Sequence, residues 1–343
     1  MRHSLHPDDV AHPVQCSGPG TFNAQRRTVL AAGLSALAGP AFGQSAAAYP
    51  SQPVRIVVPS APGGTTDLYA RILGKALGES LGQPFVIENK PGAGSVIGTD
   101  AVVKSKADGH TLLFGSLPLS TNPGLMAKLP YDAQQDLRPV IHISAQGFVV
   151  SVGPKSPFAT FADAIAAAKQ RDVPYATPGI GTVGHLSAQM LNVEHGTRFI
   201  HVAYRGSAPA IQDVVAGQVD LLFDAMASSS AAIASGQLRP VATTNATRFA
   251  ALPNVPTLRE LGYAAGEGQA YSGLLVPAAT PTEIVTKLNA ALNAAFKRPD
   301  VRQSFERLNV TPVGGTPDAF GQLIRQEGER WVPLIRRLGL KAE

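Results

Sequence analysis

The residues with the clearest chemical potential lie at two glycine corners, each set between an apolar run and a helical pattern. In the first, Ile56-Val57-Val58-Pro59-Ser60-Ala61-Pro62-Gly63-Gly64-Thr65-Thr66-Asp67, a β-branched run turns through prolines and glycines into Leu68, Ile72, Leu73 and Leu77. A strand that ends this way and feeds a helix leaves several backbone N–H groups without intrahelical partners. With the positive end of the helix dipole, those donors form a seat for an anion. The second corner is Val173-Pro174-Tyr175-Ala176-Thr177-Pro178-Gly179-Ile180-Gly181-Thr182-Val183-Gly184-His185. Two such corners far apart in the chain imply a ligand held between two lobes.

Gly179 to Gly184 spells G-x-G-x-x-G, the dinucleotide fingerprint. That reading needs an acidic residue at the end of the next strand to hold a ribose. The next strand ends Ala203-Tyr204-Arg205-Gly206, without one. The glycines are therefore assigned to presenting amides to a carboxylate, and no cofactor is expected. Asp67 and Asp224 stand near strand C-terminal ends, where α/β proteins place their sites. Asp67 reads equally as a ligand contact or as an acid favoured in a first helical turn. Asp224 reads as a ligand contact or as a strand-end residue. His185 opens a helix at the glycine loop and reads as a contact or as a cap. Arg205 and Ser207 offer a guanidinium clamp and a hydroxyl before a further helix.

Catalytic and metal chemistry find no support. No H-x-H, H-x₃-H or H-E-x-x-H spacing and no carboxylate cluster accompanies the histidines, so no metal is expected. No G-x-S-x-G elbow occurs either, and no nucleophile–base arrangement is visible, so no catalytic residue is assigned.

The elements that position these residues alternate between strand-like and helix-like runs, the pattern of parallel α/β architecture. Strands are expected at 54–58, 85–88, 111–114, 175–177, 199–204, 219–223, 239–244 and 270–276, with a long β-type run at 140–152. Helices are expected at 67–80, 95–104, 160–171, 185–195 and 208–216, and from Pro281 almost to the C-terminus. The two long strand segments bracket a middle block with its own complete α/β set, as two crossings between lobes would.

The chain has 343 residues, 44% of them hydrophobic and 15% charged, a globular composition whose length favours two lobes. Its formal charge of +5 is scattered without a basic block, so nucleic acid is not an expected partner. Arg26-Arg27 followed by the apolar residues 28–38 and small residues 39–48 read as a signal peptide cut after Gly43 or Ala48. The paired arginines leave both general secretion and twin-arginine export open. Cys16 is the single cysteine and precedes the apolar run, which excludes disulfides and thiol chemistry from the mature chain.

Several segments together resemble one family: Pro59 to Asp67, Val86-Ile87-Glu88-Asn89-Lys90-Pro91-Gly92-Ala93-Gly94 and Leu129-Pro130-Tyr131-Asp132. Further along come Thr177 to Thr182, His201-Val202-Ala203-Tyr204-Arg205-Gly206-Ser207-Ala208-Pro209 and Ala216-Gly217-Gln218-Val219-Asp220. The chain is similar in these segments to the Bug-family extracytoplasmic solute receptors of tripartite tricarboxylate transporters. The resemblance implies an α/β, two-lobed Venus-flytrap binding protein of type II-like architecture, with two interlobe crossing strands. Its lobes would be residues 49–147 plus 273–343 and residues 148–272, after an extension and signal peptide over 1–48.

The same resemblance implies a periplasmic receptor that captures a small carboxylate without chemistry of its own. Its partners would be the membrane subunits of the transporter, and it would act as a monomer. Carried over by position, the first carboxylate loop falls on Ala61, Gly63, Gly64, Thr65 and Asp67, and the loop after the third strand on Ser116. Second-lobe contacts fall on Thr177, Gly181, Thr182 and His185, then Ser207, then Asp224. Where relatives carry small polar residues after that third strand, this chain has Leu117-Pro118-Leu119, which implies a more apolar distal pocket. Two other readings stay open: a secreted α/β enzyme acting on a small organic acid, and a ligand sensor for a membrane signalling partner.

Overall fold

Residues 49–341, apart from positions 205, 309 and 311, are described by the structure, a computed structural model. The expected signal peptide, Cys16 and Arg205 lie outside the described residues. The chain begins with β1 (Val54–Val58), α1 (Thr65–Leu81), β2 (Phe85–Asn89), α2 (Val96–Val103), β3 (Thr111–Ser116) and α3 (Pro118–Leu125). The long β4 (Leu137–Val152) follows, then α4 (Phe161–Gln170), β5 (Val173–Thr177), α5 (Val183–His195), β6 (Phe199–Ala203) and α6 (Ser207–Ala216). Next come β7 (Leu221–Ala225), α7 (Met226–Ala234), β8 (Arg239–Thr243) and β9 (Gln269–Pro277). Helices α8 (Thr282–Ala295) and α9 (Pro299–Glu306), strand β10 (Pro312–Gly314) and helix α10 (Pro317–Arg337) complete the chain.

The strands join in the order β2-β1-β3-β9-β4-β7-β5-β6, with β8 and β10 also pairing β4. Parallel pairs occupy both wings (β1 with β2 and β3, β5 with β6 and β7), while β9 and β4 are antiparallel to their neighbours in the middle. Strand β4 is the common spine: Leu137–Gly147 pairs β9, and Phe148–Val152 pairs β7 and β8. Strand β9 starts at Gln269 opposite Gly147 and runs wholly within the first wing, so the return to that wing is made just before it. The α/β class is therefore borne out, as a mixed rather than purely parallel sheet.

Each wing has its own apolar core, one around Ile56, Leu73, Leu112, Leu274, Leu288 and Phe305, the other around Phe161, Tyr175, Leu191, Phe199 and Phe223. A further cluster joins the wings, with Val183 and Leu186 of α5 among Leu125 of α3 and Trp331 and Ile335 of α10. The expected strands and helices fall within a few residues of the observed ones. Helix α3 has no readable stripe because Pro118 and Pro123 punctuate it, and α7 (MASSSAAIA) lacks one because it is built from small residues. Strand β10 breaks the expected continuous helical C-terminus.

Candidate functional site

Both glycine corners arrive at one cavity of about 300 Å³. Its walls are Thr65, Thr66 and Tyr69 of α1, the loop Ile180–Val183 entering α5, and Leu117 and Pro118 at the start of α3. Its floor is the central strands: Ser116 from β3, Ser144, Gln146 and Phe148 from β4, and Ala270, Tyr271 and Ser272 from β9. Among the described residues, every one that lines the cavity is neutral. An anion entering here is met by amides, hydroxyls and helix dipoles rather than by a counter-charge.

At the first corner, Gly64 is the N-cap of α1 in extended backbone, and no side chain caps the helix. The first intrahelical bond there runs from Leu68 N–H to Gly64 O, so the Thr65, Thr66 and Asp67 amides precede it without an intrahelical partner. Asp67 braces this arrangement from behind. Its carboxylate accepts from Gly63 N–H at 2.9 Å, Arg71 Nε at 2.9 Å and Asn89 Nδ2 at 3.0 Å. The Arg71 bond above all holds its pKa below the usual carboxylate range, against the opposing effect of burial. Asn89 also donates to Ser60 O, and Ser60 Oγ and Thr66 Oγ1 lie 2.7 Å apart. Apart from Thr66, the residues that fix the corner do not line the cavity.

At the second corner the caps are side chains. Thr182 Oγ1 accepts from His185 N–H, and Gly181 N–H donates to His185 Nδ1 at 3.1 Å. His185 stacks on His201 with ring centroids 3.9 Å apart. His201 Nε2 and Thr177 Oγ1 are 2.7 Å apart, and Thr177 in turn donates to Gly179 O. Burial, with the neighbouring His201, pushes the His185 pKa down to about 3, and burial pushes that of His201 down to about 4. Two neutral imidazoles therefore underlie the glycine loop. Gly181 has φ +75°, and its Cα faces Leu125 of α3 across the cleft.

Of the expected site residues, Thr65, Ser116, Gly181 and Thr182 line the cavity, while Ala61, Gly63, Gly64, Asp67, Thr177 and His185 form the loops behind them. Ser207 and Asp224 are joined to each other instead. Asp224 is fully buried and accepts from Ser207 Oγ at 2.7 Å and Ser229 Oγ at 3.0 Å. Burial raises its carboxyl pKa. Neither belongs to the cavity lining. Leu117 and Pro118 do face the cavity, and Pro118 puts a prolyl ring where α3 would otherwise present an N–H.

Sequence reasoning missed Tyr69, Ser144, Gln146, Phe148, Tyr271 and Ser272. Tyr69 had a signal, because it stands four residues from Thr65 on the same helix face. Its hydroxyl is buried and has no hydrogen-bond partner among the described residues.

A family model described as tripartite tricarboxylate transporter family receptor matches residues 69–340. The chain belongs to this family. Among its relatives is protein BugT of Bordetella pertussis, 37% identical over 310 residues, covering 89% of this chain and 95% of BugT. A Rhodopseudomonas palustris protein solved with adipate is 33% identical, with a TM-score of 0.74 over 85% of this chain and 99% of its own. MatC from the same organism, solved with bound malate, is 31% identical with a TM-score of 0.70, covering 84% and 100%. Membership makes this receptor a solute-binding component rather than an enzyme. Among the described residues, no helix of the receptor is long and apolar enough to cross a membrane.

Proposed function

We propose that this receptor captures a small organic acid in the central cavity and delivers it to the membrane subunits of a tripartite transporter. The observation that carries the reading is the uncapped start of α1, whose first-turn residues Thr65 and Thr66 line a cavity without charged walls. Free amides at a helix N-terminus suit a carboxylate and need no cation. The orphan Tyr69 hydroxyl and the amides at the start of α5 would complete the donor set. Asp67, Gly63, Gly64, Ala61, Thr177 and His185 would shape the loops, with Thr65, Ser116, Gly181 and Thr182 in contact. Ser207, held by the buried Asp224, would support the second lobe's side of the site at the start of α6.

In this reading the lobes are those expected, residues 49–147 with 273–343 and 148–272, with the second boundary moved to just before β9, and the hinge lies where β4 passes between sheet wings. The related structures with adipate and malate support organic acids as the ligand class. The mature protein, cut near residues 43–48 and exported to the periplasm as a monomer, is titrated by calorimetry with a panel of mono- and dicarboxylates. Binding of at least one acid, with a rise in melting temperature by mass action, is the expected result. Absence of heat and of any thermal shift across the panel rejects the reading.

A further inference from the structure

The floor of the cavity carries a feature that neither corner explains. Ser116 on β3 pairs in register with Ser272 on β9, and Ser272 pairs with Ser144 on β4. Three adjacent strands therefore place three serines in one row, and all three line the cavity. The row spans two strand spacings, roughly 10 Å. Ser144 and Ser272 are 2% and 4% exposed, and their hydroxyl oxygens lie 2.6 Å apart. Gln146, two residues along β4 on the same face, adds an amide.

Hydroxyls buried in a sheet are costly unless they are used, and apolar or β-branched residues fit such positions better. One proton of the Ser144–Ser272 pair is spent between them, which leaves the row with few donors and many acceptor lone pairs. Among the described residues no cation lines the cavity beside it, and the helix that starts two residues after Ser116, α3, has Pro118 instead of an N–H at its first position. A second ionised carboxylate here would be desolvated without compensating charge from the described residues. A neutral group that both donates and accepts would be satisfied.

Building on the carboxylate reading above, we propose that the serine row is a neutral subsite that selects a monocarboxylate bearing a hydroxyl at its far end. The carboxylate sits at the α1 corner, and the far hydroxyl is read by Ser116, Ser272 and Ser144.

Two series of equal carbon number test this: butanoate, 4-hydroxybutanoate and succinate, and hexanoate, 6-hydroxyhexanoate and adipate. In at least one series the hydroxy acid is expected to bind about tenfold tighter than both its methyl-ended and its carboxyl-ended partner. The double variant Ser144→Ala with Ser272→Ala removes the pair together and leaves no orphan hydroxyl from it. It should lower hydroxy-acid affinity about tenfold, change methyl-ended affinity less than twofold, and keep the melting temperature of the free protein. Tighter binding of the diacid, or an equal loss for all three tails, overturns the row's role while leaving carboxylate capture standing. If all six acids fail to bind, the carboxylate reading falls and the row's assignment falls with it.

Discussion

The two glycine corners begin from the same local grammar, strand then glycines then helix, yet they present different surfaces to the cavity. At α1 no side chain occupies the helix start, and the brace is a buried carboxylate set behind the loop. At α5 the brace is inside the loop: Thr182 takes one amide and His185 takes another. The first corner is donor-rich and held by charge. The second is partly self-satisfied and held by two neutral rings. A glycine signature therefore predicts where a backbone will expose amides, but the neighbouring side chains decide how many remain for a ligand.

The largest contrast lies in how tightly each corner is packed. A Cβ on Gly184 would meet the Phe223 carbonyl oxygen at 2.5 Å, whereas one on Gly64 would meet nothing nearer than Ala61 O at 3.6 Å. Gly184→Val should lower unfolding free energy by about 2–3 kcal/mol, read as a fall in the urea midpoint. An unchanged midpoint would mean that α5 does not press on β7 as described.

Asp67→Ala comes next. It deprives Gly63 N–H and Asn89 of an acceptor and costs about 2 kcal/mol, with weaker acid binding through a loosened α1 corner. Arg71→Ala should cost less, because half of the Arg71 side chain is exposed and its pairing is screened. Equal losses for the two variants would show that the charge pair, not the amide and Asn89 ties, holds the corner.

Acid separates the two braces by window, because both lose stability as pH falls. His185 is neutral in the native protein down to about pH 3, whereas its unfolded pKa is near 6.5. Between those values the unfolded state binds a proton that the native state does not, so stability falls as pH falls. The slope from this one group is at most about 1.4 kcal/mol per pH unit. Asp67 has a depressed pKa, so its contribution is present above about pH 4 and is lost only below it. A melting-temperature profile from pH 7 to 4.5 should therefore slope downward towards acid, and His185→Gln should make it shallower, with the buried His201 keeping a slope of the same sign. The same slope in both proteins would remove the imidazole pair from the second corner.

What the sequence made legible follows the same division. Local features were readable: Val54–Val58, the helix behind Asp67, and the capped start of α5 all announce themselves through alternation, periodicity and turn residues. The cavity floor was not. Ser116, Ser144 and Ser272 come from three strands far apart in the chain, and only the register of β3, β9 and β4 brings them into line. Asp224 shows the opposite case. Its strand-end position suggested a ligand contact, but Ser207 and Ser229 take both carboxylate oxygens below the surface.

The smallest effect expected is also the cleanest probe of the donor-rich corner. Gly64 has φ −72° and ψ 166°, a conformation that valine adopts readily, and a Cβ there meets only Ala61 O, at an ordinary 3.6 Å. Gly64→Val should therefore leave the melting temperature within a degree or so, since neither strain nor overlap is introduced. Its two methyl groups would stand beside the first-turn amides of α1 and crowd any carboxylate seated there. Affinity for the tightest-binding acid should drop about fivefold, under 1 kcal/mol. Because Gly64 touches no part of the α5 corner, a loss confined to affinity assigns capture to α1. Undiminished affinity would shift the carboxylate to the Val183 and Gly184 amides, and the second corner would then be the one that holds the ligand.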